Sequence, residues 1–572
     1  MIGMQEHAPP GFAWLRGYPK GVDWSLALPP GETLVSMFDT AIARFGARPA
    51  MDFLGRRWSY AELGEAVARA AEGFRRLGVV PGARVGLCLP NTPFHVIAYF
   101  GALKAGAIVV NFSPLYVEEE LSAQAADSGT TLMVTVDLDP LLPRVLKMMD
   151  RPGSPVRHVV VARFAEALPA LKGVLFRLAK RKALAAIPRA DARVSGFAAL
   201  LDGPPVTDAP ALAPTDVAVL QYTGGTTGVP KGAALTHANL SANLRQMEAW
   251  FTPARAGEER MLAVIPFFHV FAMTVAMNSA IAMGAEIVML PRFDWKLLLE
   301  TLHRTRPTIF PGVPTLFKAI LDNGATRDDL ASLRACISGG APLPLAAKER
   351  FEALSGCTLV EGYGLTEASP VCFCNPFEGE NRAGTIGLPL PGLRAEIRDL
   401  ADPSRPAPHG EKGELCLAGP NVMSGYWQRP AETAEVMTAD GLLRTGDVGV
   451  MDADGYVTLV DRMKDLILVS GFNVYPRVVE EALYRHAGVA AATVVAMPDD
   501  YRGEAPAAFV EPRPGVKLTA EELHAFLADK LSAVEMPRLI EVRPALPRTA
   551  VGKLSKKELQ QEVRERACHR AA

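Results

Sequence analysis

Cysteine is scarce, with seven residues in 572, an odd count and no Cys-x-x-Cys spacing. This excludes a disulfide framework. Cys372 and Cys374 form the closest pair, and no histidine cluster accompanies them to suggest a zinc site. The cysteines read as small buried hydrophobes of a reducing compartment. An excess of one charge is also lacking: 60 Lys and Arg face 62 Asp and Glu, a formal net charge of -2. That removes the electrostatic ground for a whole-protein nucleic-acid binder. With 49% hydrophobic residues and little net charge, intrinsic disorder is excluded as well. No apolar run is long and clean enough to span a bilayer. Phe94–Val110 carries His95 and Lys104, and Val270–Met283 has only 14 residues, flanked by His269 and Glu286. Both are predicted as buried helices. The N-terminus, MIGMQEHAPPGF, has no basic segment followed by an apolar one and so no secretory signal. The expected location is cytoplasmic. No period of 20–50 residues is apparent, which excludes a solenoid.

What the chain does have is alternation of short β-branched runs with helical ones. Ala83–Leu89, Ala107–Asn111 and Thr131–Val136 read as strands, and Pro93–Ala105 and Glu118–Asp127 as helices. The pattern implies an α/β protein whose parallel sheets are covered by helices. After about residue 390 the strands shorten and Gly, Pro and Asp separate them, which predicts a β-rich subdomain. Asp461–Asp465 is a compact charged connector, and a small α+β unit begins beyond it. The expected organisation is therefore an N-terminal domain over residues 1–460, a connector over 461–466 and a C-terminal domain over 467–572.

One segment is charged in a way that the whole chain is not. Leu171–Ile187 has helical spacing, and Lys172, Arg177, Lys180, Arg181, Lys182 and Arg189 stand together with no acid between Ala167 and Ala190. A basic amphipathic helix can lie in an anionic membrane interface or form a solvated surface helix.

The densest chemical signal is Gln221-Tyr-Thr-Gly-Gly-Thr-Thr-Gly-Val-Pro-Lys-Gly232. It follows a strand-like run and precedes a helix capped by Thr236. Thr223, Gly224, Gly225, Thr226, Thr227 and Gly228 allow backbone N–H groups and hydroxyls to converge on an anion, and Lys231 adds a point charge. Pro230 stands where a Walker A loop needs Gly, and the spacing is not that of a dinucleotide-binding turn either. A phosphate-binding loop of a third kind is indicated.

This loop resembles that of the adenylate-forming superfamily of acyl-CoA synthetases, luciferases and peptide-synthetase adenylation domains. Four further motifs follow in the order of that family, and the resemblance covers about residues 30–559. Glu361-Gly-Tyr-Gly-Leu-Thr-Glu367 offers a flat Tyr363 face, close backbone approach at Gly362 and Gly364, a donor in Thr366 and a hard oxygen ligand in Glu367. The resemblance implies that Tyr363 stacks on adenine, that Thr366 touches the α-phosphate, and that Glu367 holds Mg²⁺ together with Thr226. Gly339-Gly340-Ala341-Pro342 would lie against the adenine and wall the acyl pocket. Asp447 suits two vicinal ribose hydroxyls, since one carboxylate can accept from both. Arg462 would contact ribose or phosphate, and Lys464 falls at the family's hinge. Lys553, in Leu546–Ser555, matches the lysine that contacts both carboxylate and α-phosphate during adenylation. Ser470-Gly471-Phe472-Asn473 would line the pantetheine tunnel after the C-terminal domain rotates. Phe268, His269, Phe271 and Met273 would form the acyl pocket, His269 bordering the carboxylate. Some long-chain relatives carry a tryptophan gate where this chain has Met273.

The expected activity is ATP-dependent ligation of a long-chain fatty acid to coenzyme A through an acyl-adenylate, with Mg²⁺. The N-terminal Trp14-Leu-Arg-Gly-Tyr-Pro19, Asn111–Tyr116 and the basic segment 171–189 most resemble bacterial long-chain fatty acyl-CoA synthetases. That likeness implies peripheral placement on the cytoplasmic face of the inner membrane and a homodimer. With Ala572 close behind Lys553, free CoA rather than a fused carrier is expected. The alternatives are a medium-chain or aryl acid substrate, transfer to a carrier protein, and a non-catalytic nucleotide- or acyl-binding protein.

Overall fold

The computed structural model describes residues 12–188, 190–223, 230–470, 472–499, 501–549 and 554–571. Two sheets carry the N-terminal part. The first has seven strands, in the order Val194–Gly196, His158–Ala162, Leu132–Val136, Arg84–Leu87, Ile108–Asn111, Val217–Thr223 and Lys231–Thr236. All of its pairs are parallel except the last, which is antiparallel. The second has nine strands, of which those from Thr358–Gly364 through Ala335–Ser338, Ile309–Gly312, Arg260–Ala263 and Glu286–Met289 to Pro49–Phe53 run parallel. Leu132–Val136, Ile108–Asn111 and Glu286–Met289 are buried at every position, as expected of parallel strands covered on both faces. The α/β architecture and its parallel sheets are as the alternation implied.

The apolar run at residue 94 becomes the helix Pro93–Lys104, buried at every position but the last. Lys104 closes it with an ion pair to Asp39 at 2.7 Å. Proline in the first turn starts it without losing a backbone bond. The second run winds differently from the helix expected. Ala272–Asn278 is a π-helix, and only Ser279–Met283 is α-helical. The wider turn brings Met273 and Asn278, five residues apart, to one side. There Asn111 Nδ2 donates to Met273 Sδ at 3.2 Å and Asn278 Nδ2 donates to Tyr99 Oη at 3.1 Å.

The basic helix is shorter than its sequence pattern. It spans Ala170–Ala179 and gives way to a 3-10 turn at Arg181–Ala183. The backbone there is drawn into other bonds: Asp139 N donates to Ala183 O at 3.0 Å, Ala185 N donates to Asp137 O at 3.0 Å, and Leu138 bridges Leu184.

The chain divides into two compact units, one of Met1–Arg394 with Ala418–Met437 and one of Ala395–Leu417 with Thr438–Ala572. The second unit contains most of a four-stranded antiparallel sheet built on Gly413–Ala418, Leu443–Met451 and Val457–Arg462. This β-rich sheet therefore groups largely with residues C-terminal to the expected boundary. The unit's other sheet is built on the long pair Val489–Asp499 and Gly503–Pro512, with its core at Ile467, Val479, Val494, Val510 and Leu523. The six cysteines described, Cys88, Cys336, Cys357, Cys372, Cys374 and Cys416, are free and buried. Among the described residues no helix is long and apolar enough to cross a membrane.

Candidate active site

The loop residues Gly224, Gly225, Thr226, Thr227 and Gly228 lie outside the described residues, as do Gly471 and Lys553. The stem of the loop is described. Thr223 and Lys231 are register partners at the end of the antiparallel pair Val217–Thr223 and Lys231–Thr236. Gly232 packs closely at that end: a Cβ there would stand 3.1 Å from the Tyr222 ring, which would have to shift to admit it. Tyr222 Oη donates to Asp127 Oδ2 at 2.6 Å, and Arg429 pairs with the same carboxylate. Behind the stem, Thr236 caps the helix His237–Trp250 by accepting from Asn239 N at 3.0 Å. The cap falls where the sequence put it.

A segment that the motif reading did not single out ties the stem to the second motif. Residues 424–427 pair with the Lys231–Thr236 strand: Trp427 N donates to Gly232 O at 2.8 Å and Ala234 N donates to Gly425 O at 2.9 Å. Tyr426 then faces two predicted residues. Its hydroxyl donates to Glu367 Oε1 at 2.8 Å, and Lys231 Nζ lies 5.3 Å from its ring centroid. Met423 N donates to Glu367 O at 2.7 Å, so backbone and carboxylate of Glu367 are held by one segment. Burial and then the Glu367 charge raise the Tyr426 pKa, which keeps the phenol protonated and donating. The sequence signal that could have found Tyr426 is the aromatic pair after Gly425, within 60 residues of Glu367 but joined to it only by tertiary pairing.

The elements expected to meet adenine also converge. Leu343 N donates to Glu361 Oε1 at 3.3 Å, joining the turn after Ala335–Ser338 to the strand Thr358–Gly364. Of the turn residues, Gly339 is buried and packs on Phe271, whose ring would stand 3.1 Å from an added Cβ. Gly340 has φ +82° and is exposed with Pro342, while Ala341 is half-buried. Tyr363 is half-buried and meets Phe373 edge-on at 6.1 Å between centroids. Gly362 packs on Ile337, and an added Cβ at Gly364 would stand 2.0 Å from Pro370 O. Gly364 is thus demanded by the protein's own backbone packing, while a side chain at Gly362 would need Ile337 to shift. Thr366 opens the 3-10 turn Thr366–Ala368 that carries Glu367.

The segment expected to line the acyl pocket joins the same framework through Gln221. Its Nε2 donates to Phe268 O at 2.9 Å, and its Oε1 accepts from Asn111 Nδ2 at 3.0 Å. His269 is half-buried, and its Nδ1 accepts from Phe271 N at 3.2 Å. Met273 is fully buried. The structure thus brings Thr223, Lys231, Phe268, Phe271, Gly339, Glu361 and Glu367 into one connected framework within the N-terminal unit.

The remaining predicted residues lie in the C-terminal unit. Asp447 is buried and pairs with Arg462 Nε at 3.0 Å across the strands Leu443–Met451 and Val457–Arg462. Lys464 sits in the 3-10 turn Met463–Asp465, and burial lowers its pKa. Ser470, at φ +52°, and exposed Phe472 and Asn473 form the end of the hairpin Ile467–Val469 and Phe472–Val474. Sequence reasoning missed Lys556, whose Nζ lies 3.1 Å from the Glu480 carboxylate and 3.8 Å from that of Asp465.

Among the described residues, divalent cation chemistry fits one place. Glu367 Oε1 accepts from Tyr426, while Oε2 makes no hydrogen bond among the described residues. No group of three or more His, Cys, Asp or Glu able to hold a metal occurs among the described residues. A single carboxylate joined through Tyr426 to Lys231 at the stem of the Gly/Thr segment is the donor set of Mg²⁺ held mainly by a nucleotide's phosphates, not of an all-protein cage.

The AMP-binding enzyme family matches residues 38–427, and its C-terminal domain matches residues 478–553. The chain belongs to the AMP-binding enzyme family. The first match takes in the loop, the acyl-side segment, the glycine turn, Glu361–Glu367 and Tyr426. The second ends on Lys553. A long-chain-fatty-acid–CoA ligase of Bacillus subtilis is 40% identical over 566 residues, covering 98% of this chain and 99% of its own. A long-chain-fatty-acid–CoA ligase of Escherichia coli is 38% identical over 567 residues, covering 98% and 99%. Among solved structures, ATP-bound MatB from Rhodopseudomonas palustris is 26% identical with a TM-score of 0.81, over 92% of this chain and 98% of that one. The fold is that of the family's ligases.

Proposed function

We propose that this enzyme is an ATP-dependent, AMP-forming long-chain fatty acid:CoA ligase. The observation that carries the reaction class is the convergence of Lys231 and Glu367 on Tyr426 at the stem of the Gly/Thr loop. The near-full-length identity to long-chain-fatty-acid–CoA ligases supports the substrate class.

A carboxylate acylates poorly because oxide is its leaving group. In the first half-reaction its oxygen attacks the α-phosphorus of ATP. The new O–P bond forms as the bond to the β-phosphate bridge breaks, and pyrophosphate leaves. Charge develops on phosphoryl oxygens, so cations and donors matter more than a general base. Lys553, Thr366, Lys231 and the loop residues Thr223–Gly228 supply them. Tyr363 and the turn Gly339–Pro342 hold adenine, and Asp447 and Arg462 hold ribose. Glu367 and Thr226 would hold Mg²⁺ arriving with ATP, which neutralises phosphate charge. In the second half-reaction the CoA sulfur attacks the acyl carbon and the C–O bond to AMP breaks. The thiol proton is lost, and AMP departs. Rotation about Lys464 withdraws Lys553 and brings Ser470–Asn473 to line the pantetheine path. Phe268, His269, Phe271 and Met273 line the acyl site. The reading includes encounter with fatty acid at an anionic membrane surface through the basic segment 171–189.

The test is ATP–pyrophosphate exchange across a series of acids from medium to long chain, with aryl acids, followed by thioester formation with CoA or a carrier protein. Exchange that depends on long-chain acid, with CoA as acceptor, is expected. Exchange with aryl or medium-chain acids alone, or transfer to carrier protein alone, would overturn the substrate assignment.

A further inference from the structure

Two thiols that the ligation chemistry does not use lie against each other in the second sheet. Cys336 stands in the strand Ala335–Ser338, and Cys357 just before its parallel neighbour Thr358–Gly364. Their Sγ atoms are 3.4 Å apart, within thiol hydrogen-bond distance. Cys336 pairs in register with Leu359, two residues beyond Cys357, so the thiols meet as diagonal neighbours on one face of the sheet. The two sulfurs are not equivalent. Cys336 is fully buried in the core cluster of Phe310, Phe317, Phe351 and Leu359. Cys357 follows the exposed Gly356 and is itself 5% exposed, and Ser355 Oγ lies 3.1 Å from its sulfur. The contact with Cys336 holds the Cys357 thiol below the ordinary thiol range, whereas burial holds the Cys336 thiol well above it. The sulfur nearer the surface is thus the readier nucleophile, and the deeper one stands in position to resolve it.

A bond between them would move the strands. A disulfide is about 2.05 Å long, so the sulfurs must approach by about 1.4 Å. The core around them is filled: the Phe317 ring lies 5.2 Å from that of Phe310 and 4.9 Å from that of Phe351. In a close-packed core the displacement is passed to the backbone rather than absorbed. Both strands run from the thiols toward the candidate site. Gly339–Pro342 follows the first, and Glu361 and Tyr363 lie near the end of the second. Their ends are joined, since Ser338 pairs with Glu361 and Leu343 N donates to Glu361 Oε1 at 3.3 Å. A misplacement of about 1 Å in such a framework costs ~100-fold in rate.

We propose that Cys336 and Cys357 are an oxidative modification site that takes a hydroperoxide and closes a disulfide, displacing the strands that carry the nucleotide-binding residues. The Cys357 thiolate attacks one peroxide oxygen, the O–O bond breaks, and the departing oxygen takes up the thiol proton, leaving Cys357 as a sulfenic acid. Cys336 sulfur then attacks the Cys357 sulfur. The S–S bond forms, the S–O bond breaks, and hydroxide leaves with the Cys336 proton as water. Two thiols are oxidised and one hydrogen peroxide is reduced to two waters. The effect on turnover rests on the ligase reading, which assigns Gly339–Pro342 and Tyr363 to adenine; formation of the bond does not.

The test treats the full chain with hydrogen peroxide, blocks remaining thiols with N-ethylmaleimide and maps its peptides by mass spectrometry. The peptides of Cys336 and Cys357 should appear linked, and dithiothreitol should separate them. Linkage should weaken ATP binding and lower acid-dependent pyrophosphate exchange ~10- to 100-fold, and dithiothreitol should restore both. Cys336→Ala and Cys357→Ala should each bind ATP as the reduced wild type does and resist this loss. In Cys336→Ala the stranded sulfenic acid at Cys357 should be captured by dimedone. Peroxide-treated wild type without the linked peptides, or with them and unaltered ATP affinity, would overturn the proposal. A loss as large in Cys357→Ala would place the sensitive group elsewhere and likewise overturn it. Reversible linkage that weakens ATP binding in an enzyme without acid-dependent exchange refutes the ligase reading alone, and intact exchange without linkage refutes the modification site alone.

Discussion

Replacing Tyr426 by Phe deletes one hydroxyl and keeps the ring. The Lys231 contact to the ring therefore survives, and Glu367 remains tethered by its backbone oxygen to Met423 N at 2.7 Å. What is lost is the 2.8 Å hydrogen bond that fixes the Glu367 carboxylate. A bond to a charged acceptor contributes about 1.5–3 kcal/mol. Tyr426 is only half-buried, so water can partly replace the hydroxyl and the lower end applies. About 1.5–2 kcal/mol corresponds to ~10- to 30-fold. This falls within the ~10–100-fold losses seen when partners of metal ligands are removed. The variant should weaken Mn²⁺ binding in the presence of ATP by that factor, read by electron paramagnetic resonance, and raise the Mg²⁺ needed for half-maximal exchange equally. Its denaturation midpoint should remain near that of the wild type. Unaltered Mn²⁺ affinity in a folded variant would refute the assignment of Tyr426 as the residue that positions Glu367.

Lys553→Ala should abolish acid-dependent pyrophosphate exchange yet leave thioester formation from synthetic acyl-adenylate and CoA largely intact. Equal loss of both half-reactions would refute its role. Burial holds His95 and His237 down to about 4 from the ordinary 6.5, and neutral His237 Nδ1 accepts from Leu34 N at 3.3 Å. The unfolded chain takes these protons near pH 6.5 and the folded chain only near pH 4, so stability should fall as pH drops through that window. His237 alone should contribute a loss of about 2 kcal/mol at pH 5. His237→Asn should reduce the drop in denaturant midpoint between pH 7 and pH 5. An undiminished drop would show that His237 does not carry it.

The sequence was most legible where function needs a local constellation. The loop stem, the Thr236 cap and the strand before Gly339 stand where spacing put them, because turns, caps and period-two runs are decided within a few residues. Tyr426 was not legible, since it gains its role only when 424–427 pair with the Lys231–Thr236 strand across nearly 200 residues of chain. The π-winding at Ala272–Asn278 depends on what Met273 and Asn278 meet, Asn111 and Tyr99, and not on propensity. The basic helix shows the same limit. Periodicity identified its apolar face, but Gly173 and Phe176, packed on Ala165 and Phe164, decide that Leu171, Leu175 and Leu178 are exposed, and the Leu138–Leu184 bridge decides that it ends early.

The most direct measurement follows the carboxylate oxygens. Fatty acid labelled with ¹⁸O in both positions, incubated with ATP and CoA, should give AMP bearing one ¹⁸O and a thioester bearing the other, because the acyl-adenylate C–O bond breaks on the carbon side. AMP without label, or label recovered in orthophosphate, would contradict the acyl-adenylate route.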